Sequence, residues 1–131
     1  MTRASSRRAL QALLCAGGVV ATTAGFDTVV RGARSLPGQR NANPSVESEL
    51  RFYAAFYIAY GLVVLRIAPR ADRETTAVRS IAAALFLAGL ARVAGWRGVG
   101  APHELQRGLL AIELTAPPLI VIWQSRLAVR R

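Results

Sequence analysis

Four long apolar stretches, separated by segments rich in arginine, occupy most of this 131-residue chain. A helix that crosses a bilayer needs about 20 mostly apolar residues, because the hydrocarbon offers its backbone no hydrogen-bond partners. A soluble helical domain would carry its apolar residues as stripes, whereas here they come in blocks. We therefore predict an all-α fold, an antiparallel four-helix transmembrane bundle, that forms a single integral membrane domain over residues 1–131.

The predicted spans cover approximately residues 9–30, 46–68, 78–96 and 105–125. The start of the chain also has the basic and apolar segments of a secretory signal, but the three apolar blocks that follow favour an uncleaved first helix. The second and third spans contain arginines, whose long side chains have to reach the membrane surface. Pro117 and Pro118 should kink the fourth span.

Short motifs predict where the second helix begins and how the first span packs. Asn43 should cap the second helix, and Pro44 should occupy its first position. Gly17, Ala21 and Gly25 recur at intervals of four residues in the first span. A stripe of small residues of this kind lets a neighbouring helix approach closely.

Charge and cysteine content restrict the partners of the chain. It has 17 basic residues, all of them arginine, against seven acidic ones, for a net charge of +10. These arginines lie between apolar blocks rather than on one helical face, and the sequence has no nucleic-acid-binding motif. We therefore expect the lipid bilayer as a partner and no nucleic acid. The single cysteine, Cys15, cannot form an intrachain disulfide.

The arginines also indicate an orientation in the membrane. The N-terminal segment, the second loop (residues 66–79) and the C-terminal tail together hold 10 arginines, against 7 in the segments on the opposite side. Arg130 and Arg131 contribute to the tail. Because cytoplasmic segments carry an excess of basic residues, we expect both termini in the cytoplasm and the protein in the cell membrane.

Chain order brings the unusual polar residues to one membrane face. In an antiparallel arrangement, the ends of the first and third spans share that face with the starts of the second and fourth. The polar residues there are Asp27, Arg31, Glu49, Arg51, Arg92, His103 and Glu113. We expect a polar cluster at this end of the bundle.

Glu113 lies inside the fourth span, roughly 7–8 Å from its start at ~1.5 Å per residue. A carboxylate at that depth should face the interior of the bundle and have a partner. Arg92, at the same end of the preceding span, is the expected partner, and Glu49 is a second candidate for pairing with Arg92. Two roles for Glu113 stay open: a ligand-binding or proton-handling carboxylate, and a structural ion pair.

An aromatic stripe runs along the second helix. Glu49, Tyr53, Phe56 and Tyr60 recur at intervals of four, three and four residues, so they share one helix face. This face would form the wall of a ligand cavity with an acid at its mouth. Ordinary helix packing is the alternative interpretation.

His103 and the pair Glu47 and Arg51 are further polar features of the sequence. His103, which follows Pro102 in a loop, lacks the Cys or second His that a metal site needs, and either a proton relay or a plain loop residue fits it. Glu47 and Arg51 are spaced as an i, i+4 pair, which we interpret as a surface contact.

Several sequence blocks resemble a known family. The blocks are residues 25–32, 48–57, 88–92 and 102–103, of which Ser-Glu-x-Arg-Phe-Tyr in the second is the most specific. Together they resemble the bacterial domain-of-unknown-function 4345 family of small four-span membrane proteins over nearly the whole chain. The resemblance implies a membrane fold and no established activity. The chain is also distantly similar to DoxX-like membrane proteins, some of which accompany quinone-linked oxidoreductases, and this likeness concerns the fold alone.

These observations favour a non-enzymatic function, either binding of a lipid-like small molecule or a role as a small accessory subunit of a membrane complex. The predicted ligand-binding residues are Glu49, Tyr53, Phe56, Tyr60, Arg92 and Glu113. The alternatives are a membrane enzyme or quinone-linked redox accessory acting on an apolar substrate, and a small multidrug-type transporter. The transporter would need an acid in the core of the first span, whereas Asp27 lies at its end. No catalytic residue, metal or cofactor is predicted.

Overall fold

Four long helices make up most of the chain in a computed structural model that describes residues 2–128. They are α1 (Arg3–Arg31), α2 (Pro44–Ile67), α3 (Thr75–Val99) and α4 (Glu104–Leu127). Short 3-10 segments, Gly32–Ser35 and Ala68–Arg70, follow α1 and α2. Each of the four helices is long and apolar enough to cross a membrane, and residues 2–128 contain no strand. The predicted all-α, four-helix transmembrane fold is confirmed.

Helix α3 is longer than the span predicted from its apolar residues. It begins at Thr75 and ends at Val99, and its 25 residues exceed the ~20 that a bilayer requires. The arginines at both ends of its apolar stretch continue the helix, because Arg is a good helix former. The chain leaves α3 at Gly100, whose φ of 114° lies in the region that favours glycine.

The start of α2 follows the sequence motif. The side chain of Asn43 accepts a hydrogen bond from the backbone N–H of Val46 at 2.9 Å, and Pro44 is the first helical residue. The missing N–H of proline costs nothing there, because the first N–H groups of a helix have no intrahelical partner. Both predictions for this helix start are confirmed.

The contacts divide the chain into two compact units. One is Ala12–Pro69, which contains most of α1 together with α2. The other joins the N-terminal residues up to Gln11 to the chain from Arg70 onward, and it contains α3 and α4. The single-domain organisation of the chain stays a prediction.

Within Ala12–Pro69, glycines bring α1 and α2 into backbone contact. A Cβ on Gly18 would lie 3.0 Å from the carbonyl oxygen of Gly61, and a Cβ on Gly25 would lie 2.9 Å from a carbonyl oxygen of α2. The predicted stripe is right for Ala21 and Gly25, which are buried, and wrong for Gly17, which is exposed. The packed face instead contains Gly18, Ala21 and Gly25, at intervals of three and four residues. These intervals alternate along one helix face because the helix repeats every 3.6 residues.

In the other unit, α3 and α4 run antiparallel because a short turn joins them. Their buried residues are Val78, Ile81, Ala82 and Gly89 from α3, and Leu110, Glu113, Pro117, Ile120, Gln124 and Leu127 from α4. A Cβ on Gly89 would lie 2.8 Å from Cδ2 of Leu114. The absence of a side chain at Gly89 therefore sets how closely the two helices approach beside the candidate site.

Candidate functional site

Arg92 of α3 and Glu113 of α4 form an ion pair across this hairpin. Nε of Arg92 donates a hydrogen bond to Oε2 of Glu113 at 2.7 Å. The side chain of Glu113 is 7% exposed, whereas that of Arg92 is 39% exposed. Gly89 lies one turn before Arg92, and a Cβ there would lie 3.1 Å from Cβ of Glu113. The partnership suggested by the sequence is present, and the carboxylate faces protein.

A cleft of about 530 Å³ lies beside this pair, where α3 ends and α4 begins. Arg92 lines the cleft, and Trp96, Val99, Gln106 and Leu110 are among its other lining residues. A guanidinium carries five N–H donors. Within residues 2–128, only the Nε donor of Arg92 has a hydrogen-bond partner, so the four N–H donors of its terminal nitrogens can serve an acceptor in the cleft. We call this cavity the Arg92 cleft.

His103 caps the start of α4 and does not line the cleft. Its Nδ1 accepts a hydrogen bond from the backbone N–H of Leu105 at 3.2 Å, which caps the helix. Its neighbour Pro102 lines the Arg92 cleft. Among the residues that the structure describes, no group of three or more His, Cys, Asp or Glu side chains could hold a metal ion.

The family model of a domain of unknown function (DUF4345) matches residues 9–124 of the chain. The chain belongs to this family. The resemblance drawn from the sequence blocks is therefore confirmed, and every residue of the predicted polar cluster lies within the matched range. No curated protein and no solved structure matches the chain. Membership of this family assigns no activity, so a function has to come from the site itself.

Four of the predicted polar residues lie in the unit Ala12–Pro69, and three of them, Asp27, Arg31 and Arg51, make contacts around the end of α1. Asp27 and Arg31 form an i, i+4 ion pair at 3.1 Å. Arg51 of α2 donates a hydrogen bond through Nη1 to the carbonyl oxygen of Val29 at 2.6 Å. These contacts hold the guanidinium groups of Arg31 and Arg51 at a second cavity, of about 420 Å³.

The interpretation of Glu47 and Arg51 as a surface contact is wrong, because Glu47 also bonds to the backbone after α1. Its Oε1 accepts a hydrogen bond from the backbone N–H of Ala33 at 3.2 Å, while its Oε2 lies 3.6 Å from Nη2 of Arg51. Oε2 is buried. Gly32, with a φ of 57°, leaves the space that the carboxylate occupies. Glu47 thereby ties the start of α2 to the 3-10 turn after α1.

The aromatic stripe of α2 lies on an exposed part of the helix. Tyr53 and Phe56 are 63% and 62% exposed. Glu49 is also exposed, and its carboxylate makes no hydrogen bond or ion pair with the described part of the chain. Tyr60 is half-buried. None of these four side chains lines either of the two cavities. Their role in ligand binding stays a prediction, and the ion pair of Arg92 is made with Glu113.

Gln124, near the end of α4, is a buried polar residue that sequence reasoning missed. Its side chain is fully buried, and its Nε2 donates to the carbonyl oxygen of Ala71 at 3.2 Å and to Oγ1 of Thr75 at 2.9 Å. In the second loop, which contains Ala71, Oδ2 of Asp72 lies 3.6 Å from Nη1 of Arg7. The sequence offers only a weak signal for this role, because Gln124 follows the apolar run 119–123 and precedes the polar residues Ser125 and Arg126. The second loop is thus fastened to α4 and to the N-terminal segment.

Proposed function

We propose that this protein binds a lipid-like small molecule, without catalysing a reaction, in the Arg92 cleft. The proposal rests on one observation: only one of the five N–H donors of the Arg92 guanidinium has a hydrogen-bond partner within residues 2–128. Its Nε holds the buried Glu113 at 2.7 Å, while its terminal nitrogens have no hydrogen-bond partner within residues 2–128. The ion pair fixes the position of the guanidinium, and Arg92 is one of the residues that line the cleft.

The lining of the cleft supports a ligand with a polar head and an apolar body. An acceptor oxygen of a carboxylate, phosphate or carbonyl group would bind the terminal nitrogens of Arg92. Trp96, Val99 and Leu110 offer an apolar surface beside them, and Val99 is 94% exposed. The cleft volume of about 530 Å³ lies within the range of about 300–1,000 Å³ that is typical of small-molecule sites.

The place of the cleft along the helices supports a ligand that partitions into the membrane. The cleft lies at the end of α3, where the apolar span gives way to Arg97 and the turn. With both termini in the cytoplasm, this end of α3 reaches the outer surface of the membrane. The ligand would then enter from the outer leaflet, with its head at the level of Arg92.

Two glycines of α3 provide a matched test of the cleft. Gly95 lines the Arg92 cleft and Gly98 does not, and a Cβ added at either position meets nothing within 4 Å. Gly95→Leu should therefore fill the cleft without disturbing the helix packing, while Gly98→Leu adds the same side chain to the same helix outside it. Both variants should also gain the same helix propensity.

The measurement is native mass spectrometry of protein extracted in a mild detergent, followed by identification of the released small molecules. Wild-type protein and Gly98→Leu should retain a bound amphiphile, and Gly95→Leu should lose it. Equal occupancy in all three proteins would refute binding in the cleft. A wild-type protein that carries no small molecule but copurifies with a stoichiometric membrane subunit would instead support the accessory-subunit function.

A further inference from the structure

The second cavity, of about 420 Å³, is lined by three arginines: Arg31, Arg34 and Arg51. It lies at the end of α1, the 3-10 turn and the start of α2, wholly within the unit Ala12–Pro69. Its other polar lining residues are Asn41 and Glu47. We call this cavity the arginine pocket. It shares no residue with the Arg92 cleft, so an inference about it does not rest on the function proposed above.

Backbone and carboxylate contacts hold two of the three guanidinium groups in place. Nη1 of Arg31 lies 3.1 Å from Oδ1 of Asp27, and Nη2 of Arg31 donates to the carbonyl oxygen of Arg34 at 2.9 Å. Nη1 of Arg51 donates to the carbonyl oxygen of Val29 at 2.6 Å. A guanidinium fixed through some of its donors loses less conformational entropy when the others bind a ligand.

The third guanidinium, that of Arg34, makes no hydrogen bond or ion pair with the residues that the structure describes. The carboxylates of this region are already engaged. Asp27 pairs with Arg31, and Glu47 bonds to the backbone N–H of Ala33 and pairs with Arg51. Three arginines therefore face two carboxylates, and all five donors of Arg34 remain available for an anion.

We propose that the arginine pocket binds a phosphate monoester. Guanidinium groups match the geometry of phosphate oxygens, and charged hydrogen bonds of this kind are among the strongest in proteins. A phosphate monoester has three terminal oxygens and a charge of about −1.5 to −2 at neutral pH, so it can engage three arginines, whereas a carboxylate has only two oxygens. The pocket lies where α1 ends and α2 begins, at the boundary of two spans. The monoester can therefore belong to a lipid headgroup or to a soluble molecule.

Arg34→Gln and Arg40→Gln form the test pair. Both arginines are exposed and lie in the connection between α1 and α2, but only Arg34 lines the arginine pocket. Since the side chain of Arg34 has no partner in the described chain, its replacement should leave the melting temperature unchanged. Arg34→Lys keeps the charge and removes the fork of donors, which separates recognition of phosphate from simple charge attraction.

Binding is measured by isothermal titration calorimetry in a phosphate-free detergent solution, with dihexanoyl phosphatidic acid, inorganic phosphate and dihexanoyl phosphatidylcholine as probes. Wild-type protein and Arg40→Gln should bind phosphatidic acid with equal affinity. Arg34→Gln should bind it roughly tenfold more weakly or worse, because each hydrogen bond to a charged group contributes on that scale. Arg34→Lys should also bind more weakly than wild type.

The remaining results identify the source of the phosphate or overturn the proposal. Binding of phosphatidic acid alone assigns the pocket to a lipid headgroup, and binding of inorganic phosphate as well assigns it to soluble phosphate esters. The proposal fails if phosphatidylcholine binds as tightly as phosphatidic acid, since the arginines would then contact any headgroup. It also fails if Arg34→Gln binds like wild type, if Arg40→Gln loses as much affinity as Arg34→Gln, or if no probe binds.

Discussion

The carboxylate of Glu113 accepts a hydrogen bond of 2.7 Å from Nε of Arg92, but the two side chains are enclosed to different degrees. Glu113 is 7% exposed and Arg92 is 39% exposed. A charge without a partner costs more in a buried position than at the boundary with water or headgroups. Loss of Arg92 would leave a buried carboxylate without a counter-ion. Loss of Glu113 would leave an arginine that can turn towards the headgroups.

We therefore expect Arg92→Met to destabilise the protein more than Glu113→Gln. Breaking a fully buried pair costs about 3–5 kcal/mol, which is an upper limit for this half-exposed arginine. The double variant Arg92→Met with Glu113→Leu should recover much of the loss, because an apolar pair of similar volume leaves no unpaired charge. Thermal unfolding in detergent, followed by circular dichroism, measures all three. An unchanged melting temperature in Arg92→Met would show that Arg92 contributes only headgroup contacts.

A second prediction concerns Gly32, whose missing side chain leaves the space that the carboxylate of Glu47 occupies. Gly32→Ala should lower the melting temperature more than Gly38→Ala. Both glycines have positive φ angles, 57° and 80°, so both substitutions carry a backbone cost of about 1–2 kcal/mol. A Cβ at Gly32 additionally meets the carboxylate of Glu47, while one at Gly38 meets nothing within 4 Å. Equal losses in the two variants would mean that the Glu47 contact contributes nothing to stability.

Much of the fold is predictable because the bilayer leaves a chain few choices. Apolar blocks of sufficient length must form helices, and Asn43 with Pro44 marks the start of α2 by local chemistry alone. The pair Arg92 and Glu113 could be anticipated because both residues are charged and chain order places them at the same end of adjacent helices. The full length of α3 is harder to predict, because the helix continues through the arginines at both ends of its apolar stretch. Hydrophobicity alone does not indicate where such a helix ends.

The contacts that could not be predicted join a side chain to a backbone group or depend on close helix approach. Glu47 bonds to the N–H of Ala33, and Gln124 bonds to the carbonyl oxygen of Ala71. A backbone partner has no signature in the sequence, because every residue except proline offers the same groups. The Arg92 cleft likewise depends on how the turn after α3 folds, and residue types alone do not specify that geometry.

A third prediction uses adjacent glycines of α1. Gly18→Leu should destabilise the protein strongly, because even a Cβ at Gly18 would lie 2.8 Å from Cγ of Leu65 and 3.0 Å from the carbonyl oxygen of Gly61. Gly17→Leu should be tolerated, since its Cβ position is open. The two variants share the same gain in helix propensity, so the difference in melting temperature reports the packing of α1 on α2. Equal melting temperatures of Gly17→Leu and Gly18→Leu would contradict the close approach of α2 to Gly18.

Gln124 provides a fourth prediction. Gln124→Leu keeps the volume of the side chain but leaves the buried carbonyl oxygen of Ala71 and the hydroxyl of Thr75 without their donor. An unsatisfied buried acceptor costs about 1–3 kcal/mol, so the melting temperature should fall. Ser125→Ala is the control, because Ser125 is exposed and bonds only to Val121 of its own helix. If Gln124→Leu has the same melting temperature as the wild type, the hydrogen bonds of the Gln124 amide do not stabilise the second loop.

The last prediction concerns orientation in the membrane. Extraction should require detergent, since four helices are apolar and long enough to span a bilayer, and release by salt alone would contradict membrane insertion. Both termini should lie in the cytoplasm, because their side of the membrane carries 10 of the 17 arginines. The N-terminal segment and the second loop supply 7 of the 10, and the other three are Arg126, Arg130 and Arg131, of which the last two lie outside the described residues.

Reporters fused to the C-terminus test this orientation directly. A fluorescent protein that matures only in the cytoplasm should be bright, and a phosphatase that is active only outside it should be silent. A neutralising control strengthens the result: replacing Arg66, Arg70 and Arg73 with Gln reduces the count on the predicted inner side to 7, equal to the other side. That variant should give a mixed signal, since the difference in basic residues that sets the orientation has been removed. An active phosphatase on the wild-type chain would instead place both termini outside and move the Arg92 cleft to the cytoplasmic surface.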